Sequence, residues 1–222
     1  MPRAGTTVET GLVETPAAPV SPASVPFAEP SPLGLLCLAI GCAALVPVAF
    51  GTAVTPDAIR TAAIFCLLFG AGGQFLAGIM SLANKNLLGG TLFTTFAFNW
   101  VYNWWSLSGL TEGKVPNGDI TFAVDVCFII IFVVLTYAFG FYSKLLFLFL
   151  LDIDFLYASR ILNHALHTKA FALPIALCTI FLVAIALYMA FGILVNTAAG
   201  RVVFPIPGPM FKPGPGAPPP AH

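Results

Sequence analysis

An all-α, polytopic membrane protein, six transmembrane helices in one bundle, is predicted by three observations: hydrophobic content, scarcity of charge, and apolar stretches of membrane-spanning length. Of the 222 residues, 59% are hydrophobic and 8% charged, against about 25% charged in soluble domains. One soluble core cannot hide so much apolar surface; lipid can receive it. A helix needs about 20 apolar residues to cross the hydrocarbon layer, because every peptide group must pair within its own segment.

That length marks spans at residues 33–50, 59–82, 89–110, 120–141, 145–162 and 171–195. The breaks are polar and turn-forming: GTAVTPD, NKN, TEGKVPNGD, YSK and NHALHTK. Connections this short make consecutive helices antiparallel neighbours. Residues 30–208 form the transmembrane domain. Residues 1–29, rich in Pro, Ala, Thr and Ser, lack the basic start and apolar stretch of a signal peptide and read as a disordered tail. Residues 209–222 form a Pro/Gly-rich tail, and the whole strip from Pro205 onward is expected to be extended, with no core to join.

An even number of spans puts both tails on one side. Arg3, Lys85, Lys144, Arg201 and Lys212 lie on that side, against Arg60, Lys114, Arg160 and Lys169 on the other. The excess of one favours cytoplasmic tails, and the plasma (inner) membrane is the expected location. With zero formal net charge and no basic block, nothing serves to neutralise nucleic-acid phosphates. The five cysteines stand in apolar runs without a CxxC pair, so neither zinc nor a disulfide framework is expected. No GxSxG, phosphate-binding loop or HExxH occurs, so the chain is not expected to be an enzyme, and no cofactor is implied.

Helices in lipid approach one another through small residues. In the second span Ala62, Cys66, Gly70, Gln74 and Gly78 recur every four residues, a face for a neighbouring helix or another subunit. Polar side chains at bilayer depth carry the functional signal. Thr91, Thr95, Asn99 and Asn103 form one polar stripe in the third span, which either seals against a helix or lines a wet path. Trp100, Trp104 and Trp105 occupy the other faces or anchor the helix end. Asp152 and Asp154 flank Ile153 in the fifth span and point to different faces, with a proton-carrying or selectivity role set against structural hydrogen bonding or a salt bridge to Arg160. Asp125 is shallower, near the interface. His164 and His167, at i, i+3, have no further ligands to complete a metal site, so no metal is expected.

The stretch Glu29-Pro30-Ser31-Pro32-Leu33-Gly34-Leu35 resembles the NPAPLGL signature of the acetate uptake transporter family, the succinate and acetate permeases. FGAGGQFLAGIMSLANKNLLGGTLFTTFAFNW, residues 69–100, is similar to that family's block from second to third span. YMAFGILVNTAAGRVVFPIPG, residues 188–208, resembles its last helix and Gly-Arg-x-x-x-Pro ending. The resemblance implies a six-helix protomer assembled into hexamers, each protomer with its own path for acetate and, in some members, succinate. It places the signature at the path's mouth and an apolar constriction at Leu38, Phe96 and Ile153. Methyl groups tolerate such a neck, while Thr and Asn beside it replace water around the carboxylate.

Two departures stand out: Glu29 replaces the signature's asparagine, and Asp152 and Asp154 stand at the constriction. If these acids bind protons, they couple carboxylate movement to the proton gradient. The leading expectation is therefore a channel or proton-coupled transporter for small carboxylates, in contact with lipid. The alternative is a non-transporting membrane scaffold recruiting partners through its Pro-rich tails.

Overall fold

The computed structural model describes residues 26–212 and Gly214. Its helices begin where the sequence supplies a cap. Thr55, Asn86, Asn117 and Ser143 each accept a backbone N–H of the first turn, satisfying one of the donors that a helix start leaves free. Six continuous rods result: α1 Ser31–Ala49, α2 Pro56–Ala83, α3 Leu87–Leu110, α4 Gly118–Phe139, α5 Lys144–Ala165 and α6 Ala172–Ala199. They follow the hydropathy spans within a few residues. The largest differences lie where helix outlasts apolarity: α5 continues through Asn163 and His164, and α6 runs on to Gly200, whose left-handed conformation (φ 62°) ends it.

Four rods, α1, α2, α4 and α6, are long and apolar enough to cross a membrane by composition alone. The other two fall short for different reasons. α3 carries the threonines and asparagines of the polar stripe, and α5 carries Lys144, Asp152, Asp154 and Arg160.

The rods stand in a ring in chain order. α1 packs against α2 and α6, α2 against α3, α4 against α5, and α5 against α6. The lightest junction, α3 with α4, is made by Phe96 against Phe132 (ring centroids 4.9 Å apart) and by a hydrogen bond of 2.7 Å between the Tyr102 and Thr121 hydroxyls. The α2–α3 and α4–α5 turns share one end of the bundle with both chain ends, here called the tail end. The other three connections form the far end.

The carboxy-terminal strip departs from expectation. Rather than lacking a core to join, residues 203–211 run back over the tail end. Asn196 clasps Val203 and Phe204 through three hydrogen bonds. Tyr188 and Ser143 donate to the carbonyls of Pro205 and Pro207. The N–H groups of Met210 and Phe211 both reach the Gly140 carbonyl, and the Phe211 ring lies among Tyr137, Phe141 and Phe147. Proline lacks an N–H but keeps its carbonyl, and those carbonyls hold the strip. The tails expected at residues 1–25, and at 213 and 215–222, lie outside the described residues.

The small-residue face of α2 is pressed by helices of the same chain, α1 and α3. A Cβ on Gly70 would collide with the Trp100 ring, one on Gly73 with the Cys37 sulfur, and one on Gly78 would lie 2.6 Å from Thr94 Cγ2 and 2.9 Å from its backbone N. Ala62, Cys66, Gly70, Gln74 and Gly78 are all buried. A four-residue repeat drifts around an ordinary helix of 3.6 residues per turn. Here residues Cys66–Gly73 form a π-helical segment, whose wider turns hold the repeat on one face.

Because backbone blocks Gly78, Gly78→Ala is expected to lower stability by about 1–3 kcal/mol, the usual cost of overpacking. At Gly72 a Cβ meets nothing nearer than the Leu67 carbonyl at 3.6 Å, so Gly72→Ala should be neutral. Thermal unfolding of the two variants in detergent tests the contrast, and equal midpoints would refute the packing account.

Candidate functional site

Three cavities lie along the bundle. At the far end a vestibule of about 560 Å³ opens among the α3–α4 and α5–α6 connections. Below it is an inner cavity of about 210 Å³, and at the tail end a third of about 150 Å³. Leu45, Asn103, Arg160 and Ile175 line both the vestibule and the inner cavity and so form their common boundary.

Stepping back seven residues along α1, α3 and α5, which run parallel, leads from Leu45, Asn103 and Arg160 to Leu38, Phe96 and Ile153. Seven residues is two helical turns, about 10 Å. These three, named by resemblance for a constriction, are 1%, 6% and 1% exposed. Each lies about one turn from a residue lining the tail-end cavity, namely Leu35, Phe93 and Phe149. Phe96 and Ile153 form the floor of the inner cavity. The antiparallel α6 adds Leu182, seven residues on from Ile175, and α4 adds the fully buried Phe132 against Phe96. Leu182 and Phe132 escaped the sequence reading because nothing separates them from other apolar residues of their spans.

The polar stripe divides. Asn99 and Asn103 line the inner cavity, whereas Thr95 is half-buried, Thr91 is exposed, and neither lines these cavities. Trp100 is no interfacial anchor: it is 3% exposed, forms part of the inner cavity wall, and leaves its indole N–H without a hydrogen-bond partner.

The acids are placed differently from expectation. Arg160 does not pair with Asp152 or Asp154. Its Nε donates to Asp125 Oδ2 at 3.0 Å, and the guanidinium lies 5.4 Å from the centre of the Tyr157 ring. Asp125 is 7% exposed and lines the vestibule wall. Asp154 faces α4, where the Thr136 hydroxyl donates to Oδ2 at 2.7 Å, and Asp152 lies against Cys178 of α6. The pair points to opposite faces, as its spacing requires, and neither member lines the three cavities.

At the tail end Glu29 does not stand free in the mouth. Its carboxylate accepts the Ser31 N–H at 3.0 Å and the Ser31 hydroxyl at the start of α1. Pro30 precedes the helix and Pro32 sits in its first turn; Gly34 allows the Phe93 ring to pack on α1. Leu35 faces the tail-end cavity, and Leu33 is exposed. His164 stacks on Phe122 and lies 3.7 Å from Asp119, with the His167 ring 6.3 Å away. Among the described residues, no three His, Cys, Asp or Glu side chains converge as a metal site.

Six helices, four of them long and apolar enough to cross a membrane, define an α-helical integral membrane protein. Residues 11–110 match the model of the GPR1/FUN34/yaaH family. The fold is similar to a solved structure described as that of the bacterial acetate channel SatP, with a TM-score of 0.73 and 21% identity over 81% of this chain and 99% of that one. No curated protein matches the chain. The family model thus covers 100 of the 222 residues, and the solved structure shares the fold.

Replacing Thr136 by Val removes the donor to the buried Asp154 carboxyl and should destabilise the protein by about 1–3 kcal/mol. Thr136→Ser should restore the parent midpoint of unfolding in detergent; a valine variant as stable as the parent would show that the bond contributes nothing.

Proposed function

We propose that the protein conducts small carboxylates, acetate foremost, across the plasma (inner) membrane through the interior of each protomer. The observation that carries this is the succession of a donor-lined inner cavity, an apolar neck and a second cavity at the opposite end. The carboxylate is held by amide and guanidinium donors, and the neck passes the methyl group. The similarity to a structure described as an acetate channel supports the same reading.

Charge favours acetate over succinate, because a dicarboxylate takes a second charge into the apolar neck. A channel is favoured over proton symport because Asp152 and Asp154 stand behind the neck, against Cys178 and Thr136. Hexameric assembly, implied by family resemblance, gives one path per protomer. Cytoplasmic tails gain support from Arg160, which is engaged inside the bundle rather than in a connection. Five tail-side cations then face three, Arg60, Lys114 and Lys169. The scaffold reading loses support, since residues 203–211 dock on their own helices.

Uptake of labelled acetate by proteoliposomes tests the proposal. Ile153→Trp should cut uptake by roughly tenfold, the effect of about 1.4 kcal/mol added to the barrier, while Phe96→Ala should admit longer acids such as butyrate. Uptake by the parent protein no faster than by empty liposomes would sink the proposal.

A further inference from the structure

Arg160 occupies the boundary between vestibule and inner cavity, two turns above the neck. Its pair with Asp125 engages Nε alone, one of five N–H donors, and the other four belong to the terminal nitrogens of the planar fork. The guanidinium carbon lies over the Tyr157 ring, 5.4 Å from its centre. On the same boundary stands the Asn103 amide. We propose that Arg160, with Asn103, is the docking site that selects a planar carboxylate over a spherical anion such as chloride; this rests on the carboxylate reading above.

The chemistry is that of a two-pronged donor. A carboxylate matches the fork through two parallel N–H···O bonds, which chloride cannot form and which a lysine ammonium presents only as a point charge. Asp125 supplies the second requirement. An unpaired buried cation would hold an anion too tightly for release, and conduction needs a site weak enough to leave. The carboxylate of Asp125 lowers that attraction while leaving the fork free.

The test uses the full chain in proteoliposomes, with labelled acetate and chloride as probes. Arg160→Gln is expected to raise the half-saturating acetate concentration by roughly tenfold or more, the worth of a charged hydrogen bond. Arg160→Lys, which keeps the charge, should lower the preference for acetate over chloride by a similar factor. Asp125→Arg combined with Arg160→Asp restores an ion pair in reverse, so it should recover folding and leave acetate affinity impaired. Parent-like affinity in the reversed pair, or an unchanged acetate-over-chloride preference in the lysine variant, would overturn the assignment to Arg160 and leave acetate conduction standing. Failure of the parent protein to take up acetate would overturn both.

Discussion

No water reaches the hydrocarbon layer, so a polar side chain on a spanning helix must find a partner or a cavity within the protein. Two rods, α3 and α5, carry most such groups, and the ring order answers the problem. α3 stands between α2 and α4, and α5 between α4 and α6, so each polar rod is flanked by two that are apolar enough to span alone. Within that frame several groups find a partner or a cavity. Asn99 and Asn103 turn to the inner cavity, Arg160 takes Asp125, and Asp154 takes Thr136. One buried oxygen of each of Asp152 and Asp154, and the Trp100 indole N–H, have no hydrogen-bond partner.

Close approach makes the frame tight. Gly70 and Gly73 let α2 come against Trp100 and Cys37, and the π segment keeps that side turned to α1 and α3 along its length. The indole so held becomes part of the cavity wall. A packing device on α2 thus positions a side chain of α3 that bounds the inner cavity, without making those glycines ligands.

The spans were legible because length and apolarity report directly on lipid. The pairing of Arg160 with Asp125 was not legible: the residues are 35 positions apart, and local order points to the nearer Asp152 and Asp154. Asp125 reads as shallow from its distance to the helix start, yet what matters is the face it presents, toward α5. The docked strip at residues 203–211 was hidden because proline-rich composition speaks of absent donors and is silent about carbonyls that accept. The polar stripe divides between surface and interior, since a four-residue repeat slowly turns around an α-helix, taking Thr91 out to the surface while Asn99 and Asn103 face inward.

The same seven-residue interval on three parallel rods separates two kinds of discrimination. At the upper level Asn103 and Arg160, beside Leu45, offer donors that read the charged head of a ligand; two turns below, Leu38, Phe96 and Ile153 offer only apolar surface. A site that combined both tasks would place charge in the narrowest, driest part of the bundle, where desolvating the ligand costs most. On the proposed path the two levels are about 10 Å apart, so the carboxylate would meet the guanidinium before the constriction, where its charge counts as well as its width. The tail-end cavity has Ser31, Asn86 and Ser143 among its lining residues and no carboxylate or cation. Such a path would put recognition at the far end of the bundle and size exclusion at its centre.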